Sequence, residues 1–204
     1  MVEHILYINL ESRKDRRERI EKVLENLPYE RFPATHNEKG YLGCTMSHIF
    51  ALDHAIREKW DHVLIMEDDM EWNDFDKNYP KLLELMKNPY DVIVLGGILV
   101  SHNYQTSKLY QCNSTGAYLV SRHYYQTLIQ NFKEGFQKLT NEINTPIPLW
   151  GIIPKSRDPE YRIDVYWHTL QEKDNWFIVP LCYSSVGYSD VSKGQVDWQP
   201  YFLK

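Results

Sequence analysis

Apolar residues near the start of the chain fall in short unbroken runs, and the stretches between those runs repeat at helical spacing. His4–Leu10 reads as a strand. Ser12 is placed to cap a helix from about Lys14 to Leu27, in which Ile20, Val23, Leu24 and Leu27 follow the i, i+3, i+4, i+7 spacing of one buried face. Pro28 ends that helix, and Tyr29–Thr35 reads as a short second strand. Gly40 and Gly43 mark a turn before a second helix, from about Thr45 to Lys59, with Met46, Ile49, Phe50 and Ile56 inward. His62–Met66 is apolar throughout, the signature of a strand covered on both faces in a parallel sheet. The acidic stretch Glu67–Asp76 follows at once. A helix around Pro80–Lys87, strands at Asp91–Gly97 and Gly116–Ser121, and a helix carrying Tyr125, Leu128, Ile129 and Phe132 complete this part.

Strand and helix alternate to about residue 130, which predicts an α/β domain with a mostly parallel central sheet flanked by helices and right-handed crossovers. Asn141–Pro159 is Pro-rich and aperiodic. It reads as a long loop over the sheet edge, of a length that often serves as a lid or binding loop. A short helix near Asp164–Leu170, a strand near Trp176–Pro180 and an aromatic tail follow. No internal repeat stands out, so 1–204 is read as one domain.

Composition narrows the class. With 204 residues, 43% hydrophobic and 25% charged, the chain is ordinary for a globular protein and is neither collagenous nor disordered. The best apolar run, Val92–Val100, falls well short of the ~20 residues a membrane span needs. The net charge of −5 argues against nucleic-acid binding, which favours a basic face. Cys44, Cys112 and Cys182 are few and far apart, so no disulfide framework or zinc ligand set follows from them. They read as small buried hydrophobes. Met1–His4 lacks the basic start of a secretory signal, so a cytoplasmic protein is expected. Tyr and Trp are abundant, 15 and 6, and their flat faces with polar tips suit sugar or ring recognition as well as ordinary packing.

The sharpest chemical signal is Glu67-Asp68-Asp69, directly after a buried strand. Ligands of open α/β sheets bind at the carboxyl ends of the strands. Three carboxylates crowded there repel one another unless a cation neutralises them, and hard oxygen ligands suit Mg2+ or Mn2+ shared with substrate phosphates. The alternative is a solvated acidic turn. At the first strand end stand Asn9 and then Arg13, Lys14, Arg16, Arg17 and Arg19 at a helix start, where a diphosphate can bind. Arg13, nearest the strand, is the phosphate candidate. Arg16, Arg17 and Arg19 read as a solvated face paired with Glu18, Glu21 and Glu25. Ser47 and His48, near a helix start, are candidate donors to a phosphate or ring. Asp164, with His168 four residues on, is a candidate general base if it faces a cleft, and Asp190 is an acid returning from the tail.

Taken together, "YINLESRKDRRERI", "RFPAT", "GYLGCTMSH", "LIMEDDMEW", "GAYLVS", "RIDVYW" and "GYSDVS", in this order over nearly the whole chain, resemble glycosyltransferase family 25, which contains collagen β-galactosyltransferases and bacterial lipopolysaccharide glycosyltransferases. The resemblance implies a GT-A-like, Rossmann-like fold. It implies metal-dependent (Mn2+ or Mg2+), inverting transfer of a hexose, galactose or glucose, from a nucleotide-sugar donor such as a UDP-sugar to a glycan, lipopolysaccharide or hydroxylated protein acceptor. By position it implies that Asp69, Glu67 and Asp190 hold the metal and that Asp68 holds metal or donor ribose. Asn9, Leu10 and Arg13 would line the nucleotide pocket with Thr35, Ser47 and His48 beside them, and Asp164 would be the catalytic base. Residues up to about 130 would bind the donor, and about 131–204 would supply the acceptor side. Thr35-His36-Asn37 stands where the family often has Val-Asp-Gly. Two rival readings remain: a metal-dependent phosphohydrolase of nucleotide sugars, and a non-catalytic sugar-nucleotide-binding module.

Overall fold

The computed structural model describes residues 2–144, 159–185 and 187–203. In chain order its elements are β1 (Ile5–Asn9), α1 (Lys14–Val23), β2 (Tyr29–Pro33), α2 (Gly40–Arg57), β3 (His62–Glu67), β4 (Met70–Trp72), α3 (Phe75–Leu85), β5 (Val92–His102), β6 (Leu109–Ser121), α4 (Tyr125–Asn144), α5 (Ile163–Tyr166), α6 (His168–Gln171), β7 (Trp176–Ile178), β8 (Cys182–Ser184), β9 (Gly187–Ser189) and β10 (Gly194–Val196). Six strands form one sheet in the order β2-β1-β3-β6-β5-β7. Pairs β1–β2, β1–β3 and β5–β7 are parallel, and only β6 runs against its neighbours. The sheet is therefore mostly parallel, as the alternation of strand and helix predicts.

The unbroken apolar runs exist because both faces of the sheet are covered. Successive side chains of a strand point to opposite faces. Leu6, Ile8, Val63, Ile65, Val92 and Val94 pack on one face under α2 and α4, against Leu52, Leu128, Phe132 and Trp167. Ile5, Tyr7, Leu64, Met66, Ile93 and Leu95 pack on the other face against Ile20, Leu24 and Leu82. At about 25 cal/mol per Å2 of apolar surface removed from water, these two layers supply the main stabilisation.

Several elements differ from the sequence reading. Helix α2 begins at Gly40, not Thr45, so Gly40 and Gly43 lie inside its first turn. Both are glycine because backbone crosses there: an added Cβ would stand 2.7 Å from the carbonyl oxygen of Asp190 at Gly40, and 2.5 Å from that of Thr35 at Gly43. Helix α3 starts before Pro80 and contains it at its sixth position, where the missing N–H costs the helix one i→i−4 hydrogen bond. Strands β5 and β6 extend into a two-stranded arm joined by 103–108, beyond the apolar segments visible in sequence. The expected Asp164–Leu170 helix is two one-turn helices, α5 and α6, meeting at the buried Trp167. Helix α4 covers the start of the expected Asn141–Pro159 loop, and 145–158 lie outside the described residues. Among the described residues no helix is long and apolar enough to cross a membrane.

Candidate functional site

Parallel pairing of β1 with β3 sets Ile8 opposite Glu67, so Asn9 and the acidic triplet leave the sheet side by side at its carboxyl edge. Asn9, 1% exposed, is a bracket rather than a wall of the cleft. Its Nδ2 donates to Asp68 Oδ2 at 2.7 Å and to the Arg13 carbonyl at 3.1 Å, and its Oδ1 accepts from Arg31 Nε at 3.1 Å. Across Asp68 lies Arg16, whose Nη1 is 2.8 Å from Asp68 Oδ1 and 3.3 Å from Asp69 Oδ2. The Arg16 side chain is only 11% exposed, which corrects its reading as part of a solvated face. Arg19 stays exposed while donating to Ser185 Oγ at 2.7 Å, and Arg17 pairs with Glu21 as expected. The missed signal was spacing: Arg16 is one turn before the buried Ile20 and shares its inward face.

The three carboxylates behave differently. Burial pushes Asp69 up to about 7, with Glu67 raising it further and Arg16 opposing. Burial also raises Asp68, against the pull of Arg16 and Asn9. For Glu67 burial is outweighed by the adjoining His48 imidazole and the Thr115 hydroxyl, so its carboxyl titrates below the usual value. Thr115 Oγ1 donates to Glu67 Oε1 at 2.9 Å, and His48 Nε2 stands 3.5 Å from that oxygen. Among the described residues one guanidinium thus faces three acids, and burial beside Glu67 keeps Asp69 partly protonated near neutral pH. Hard oxygen donors short of positive charge fit Mg2+ or Mn2+.

The triplet forms the end of a cleft of about 880 Å3, partly open to solvent, flanked by Leu10, Arg16, Thr35, Gly43, Ser47 and Asp190. Within it, Ser47 is internally satisfied. Its Oγ accepts from the Thr35 N–H at 2.8 Å and donates to the Gly43 carbonyl at 2.7 Å, pinning the segment after β2 onto α2. Arg13 does not line this cleft. Its guanidinium pairs with Asp15 and with Asp190, and donates to the Tyr188 carbonyl at 3.3 Å. Arg16 donates to the same carbonyl at 2.7 Å, so Arg13 at the N-cap of α1 and Arg16 within it strap the strip around β9 over the cleft.

A second cleft, about 1250 Å3, lies beyond the triplet and includes Tyr41, Ser114, Asp164, Arg162 and Trp198. Cys44, Glu67 and Asp69 line both clefts. Asp164 Oδ2 faces the Ser114 N–H at 3.4 Å, and Ser114 holds a left-handed backbone at φ 83°. Strained residues of this kind gather at sites whose surroundings over-determine them. Burial raises the Asp164 carboxyl, the Ser114 N–H opposes it, and the Glu67 charge adds to the rise. His168 turns away: its Nε2 lies 3.0 Å from the Cys112 carbonyl and its Nδ1 3.3 Å from Gln111 Nε2.

The fold therefore gathers Leu10, Thr35, Ser47, His48, Glu67, Asp68, Asp69 and Asp190 around one cleft and Asp164 in the adjoining one, with Asn9 beneath and Arg13 at the rim. Glu67, Asp69 and Asp190 do not converge as a set of three ligands. Among the described residues, the group of three whose ligand atoms lie within 4.8 Å of one another is Cys44, His48 and Glu67. Tyr41 and Trp198, which line the second cleft, carry no local sequence signal that separates them from the other aromatics.

The sequence profile of glycosyltransferase family 25 (LPS biosynthesis protein) matches residues 37–145, just over half of the 204. No curated protein matches the chain. Several solved structures share its outline. A197 from STIV is 14% identical, covering 95% of this chain and 92% of its own, with a TM-score of 0.43. A glycosyltransferase involved in the glycosylation of the major capsid of PBCV-1 is 13% identical, covering 86% and 79%, at 0.47. The apo-form glycosyltransferase GlyE of Streptococcus pneumoniae TIGR4 is 10% identical, covering 86% and 44%, at 0.47.

Proposed function

Given that this chain belongs to glycosyltransferase family 25 and is a glycosyltransferase of GT-A-like α/β fold, we propose that it transfers a hexose, galactose or glucose, with inversion from a UDP-sugar or related nucleotide sugar to a hydroxyl of a glycan, lipopolysaccharide or hydroxylated protein. The observation that carries this reading is that two clefts abut at Glu67 and Asp69. Transfer needs that arrangement: a donor on one side, an acceptor on the other, and charge control where they meet.

The first cleft takes the donor. Leu10 and Thr35 flank the nucleoside, and Asp68, clamped by Asn9 and Arg16, is positioned for the ribose or the cation. Asp69 and Glu67 would hold Mn2+ or Mg2+, with Asp190 nearby, and the ion supplies stabilisation of the charge that develops on the departing diphosphate. Arg16 lines the same cleft and presents a fixed guanidinium to that diphosphate, the role sequence spacing gave to Arg13.

The second cleft takes the acceptor. Asp164 accepts the proton of the attacking hydroxyl, and its raised carboxyl makes it a stronger base than a surface aspartate. Tyr41 and Trp198 line this cleft and bring aromatic surface suited to a sugar. Residues 131–204 bring Asp164 and Trp198 to the acceptor side, but Tyr41 and Ser114 there come from the first ~130 residues, and β9 returns to the donor cleft.

The test is a screen of nucleotide sugars with Mn2+, with and without glycan acceptors, reading released nucleoside diphosphate and glycosylated product. Product that requires acceptor supports transfer. Donor hydrolysis indifferent to acceptor would replace this reading with a phosphohydrolase, and donor affinity without turnover would replace it with a binding module.

A further inference from the structure

We propose that Cys44, His48 and Glu67 form a second metal site, one that takes a zinc-class ion rather than Mg2+ or Mn2+. Cys44 and His48 are four residues apart, so they share one face of α2 at its first turns. Glu67 is the last residue of β3, which the sheet carries up beneath that face. Their sulfur, nitrogen and oxygen ligand atoms all lie within 4.8 Å of one another.

His48 supplies the independent sign of a ligand. It is 0% exposed, and its Nε2 is buried without a hydrogen-bond partner. Buried polar atoms in folded proteins are almost always paired, so an unpaired imidazole nitrogen aimed between a thiol and a carboxylate needs a cause. Nε2 and Glu67 Oε1 are 3.5 Å apart, too far for a good hydrogen bond. Two ligands on one tetrahedral zinc stand about 3.4–3.6 Å apart, given Zn–N and Zn–O near 2.1 Å and Zn–S near 2.3 Å. The His48–Glu67 edge is already of that length, and the Cys44 sulfur closes the set by moving roughly 1 Å.

The ligands are also held from behind. His48 Nδ1 lies 3.0 Å from the Tyr118 hydroxyl, and Glu67 Oε1 accepts from Thr115 at 2.9 Å. Such outer contacts fix ring orientation and ligand basicity in metal sites. Cys44 and Glu67 line both clefts, so the fourth position opens to solvent or substrate. A thiolate, an imidazole and one carboxylate suit Zn2+, whereas Mg2+ prefers oxygen alone. On binding, Cys44 loses its thiol proton to solvent as the S–metal bond forms. Nδ1–H donates to the Tyr118 oxygen, leaving the Nε2 lone pair for the ion. Because Glu67 also serves the donor cleft, zinc here would compete with transfer; that consequence alone rests on the function proposed above.

The test uses the whole chain. Co2+ titration should give a thiolate-to-cobalt absorption band that Zn2+ abolishes at one equivalent. Calorimetry should show Zn2+ affinity falling in Cys44→Ser by at least about 100-fold, since loss of an outer-shell contact alone costs about 10–100-fold. Should Cys44→Ser fail to fold by circular dichroism, Zn2+ protection of Cys44 from iodoacetamide in the unmodified protein, mapped by mass spectrometry, decides. No thiolate band, unchanged Zn2+ affinity in folded Cys44→Ser, or undiminished alkylation would overturn the site. These readouts involve no sugar transfer, so their failure is separable from failure of the glycosyltransferase mechanism.

Discussion

Replacing Arg16 with Met removes a guanidinium that touches both Asp68, at 2.8 Å, and Asp69, at 3.3 Å, while keeping most of the side-chain volume. The expected cost depends on pH. Asp69 titrates near about 7 in the folded chain, above its unfolded value of 3.8. A carboxyl raised on folding makes the native state bind more protons, so stability falls as pH rises from its unfolded value through its folded one. At about pH 5 Asp69 is protonated with or without Arg16, and losing the guanidinium costs nothing through that group. At about pH 8 Asp69 is ionised beside Arg16, but in the variant it must take up a proton against the bulk pH, about 1.4 kcal/mol for that one unit. Asp68, also raised by burial and also bonded to Arg16, adds to this. A loss of about 1.4–3 kcal/mol at about pH 8 follows, near the lower end of what a broken buried ion pair costs. For a chain of this size that is roughly 3–12 °C in Tm. Paired melts of wild type and Arg16→Met by circular dichroism, at the two pH values in low salt, measure the difference. A Tm gap that is equal at both, or larger in acid, would refute the assignment of Arg16 as internal counter-ion to the triplet.

Asp164→Asn should lower turnover by roughly 10²–10⁴-fold while leaving donor affinity by calorimetry near wild type, and full turnover in this variant would remove Asp164 from the role of base. Excess EDTA should abolish transfer, with Mn2+ restoring it, and Asp69→Asn should raise the Mn2+ concentration for half-activation at least about tenfold; EDTA-resistant transfer would leave the charge to Arg16 alone. Gly43→Ala sets a methyl 2.5 Å from the Thr35 carbonyl oxygen, which is backbone and cannot swing aside. A loss of about 1–3 kcal/mol in chemical denaturation is expected, with weakened donor binding as Thr35 shifts; a neutral result would show that the α2 start yields freely.

Much of this protein is written locally. Apolar runs such as His62–Met66 predict strands covered on both faces, and the helical stripe of Ile20 and Leu24 predicts the inward side of α1, because side-chain periodicity depends only on backbone geometry. The placing of Glu67-Asp68-Asp69 at a strand end was legible for the same reason, since the apolar run stops there. Pairing between distant segments was not legible. Periodicity names the buried face and not its partner, so it could not turn Arg16 toward Asp68, set Arg13 against Asp190, or reverse β6 against β3 so that Thr115 meets Glu67. Nor could it show that two glycines read as a turn are the points where 35 and 190 cross α2. Cys44, His48 and Glu67 are the sharpest case: spacing alone made the cysteine a small hydrophobe and gave the histidine no metal partner. Only the stacking of α2 over the end of β3 brings a thiol, an imidazole and a carboxylate to one point.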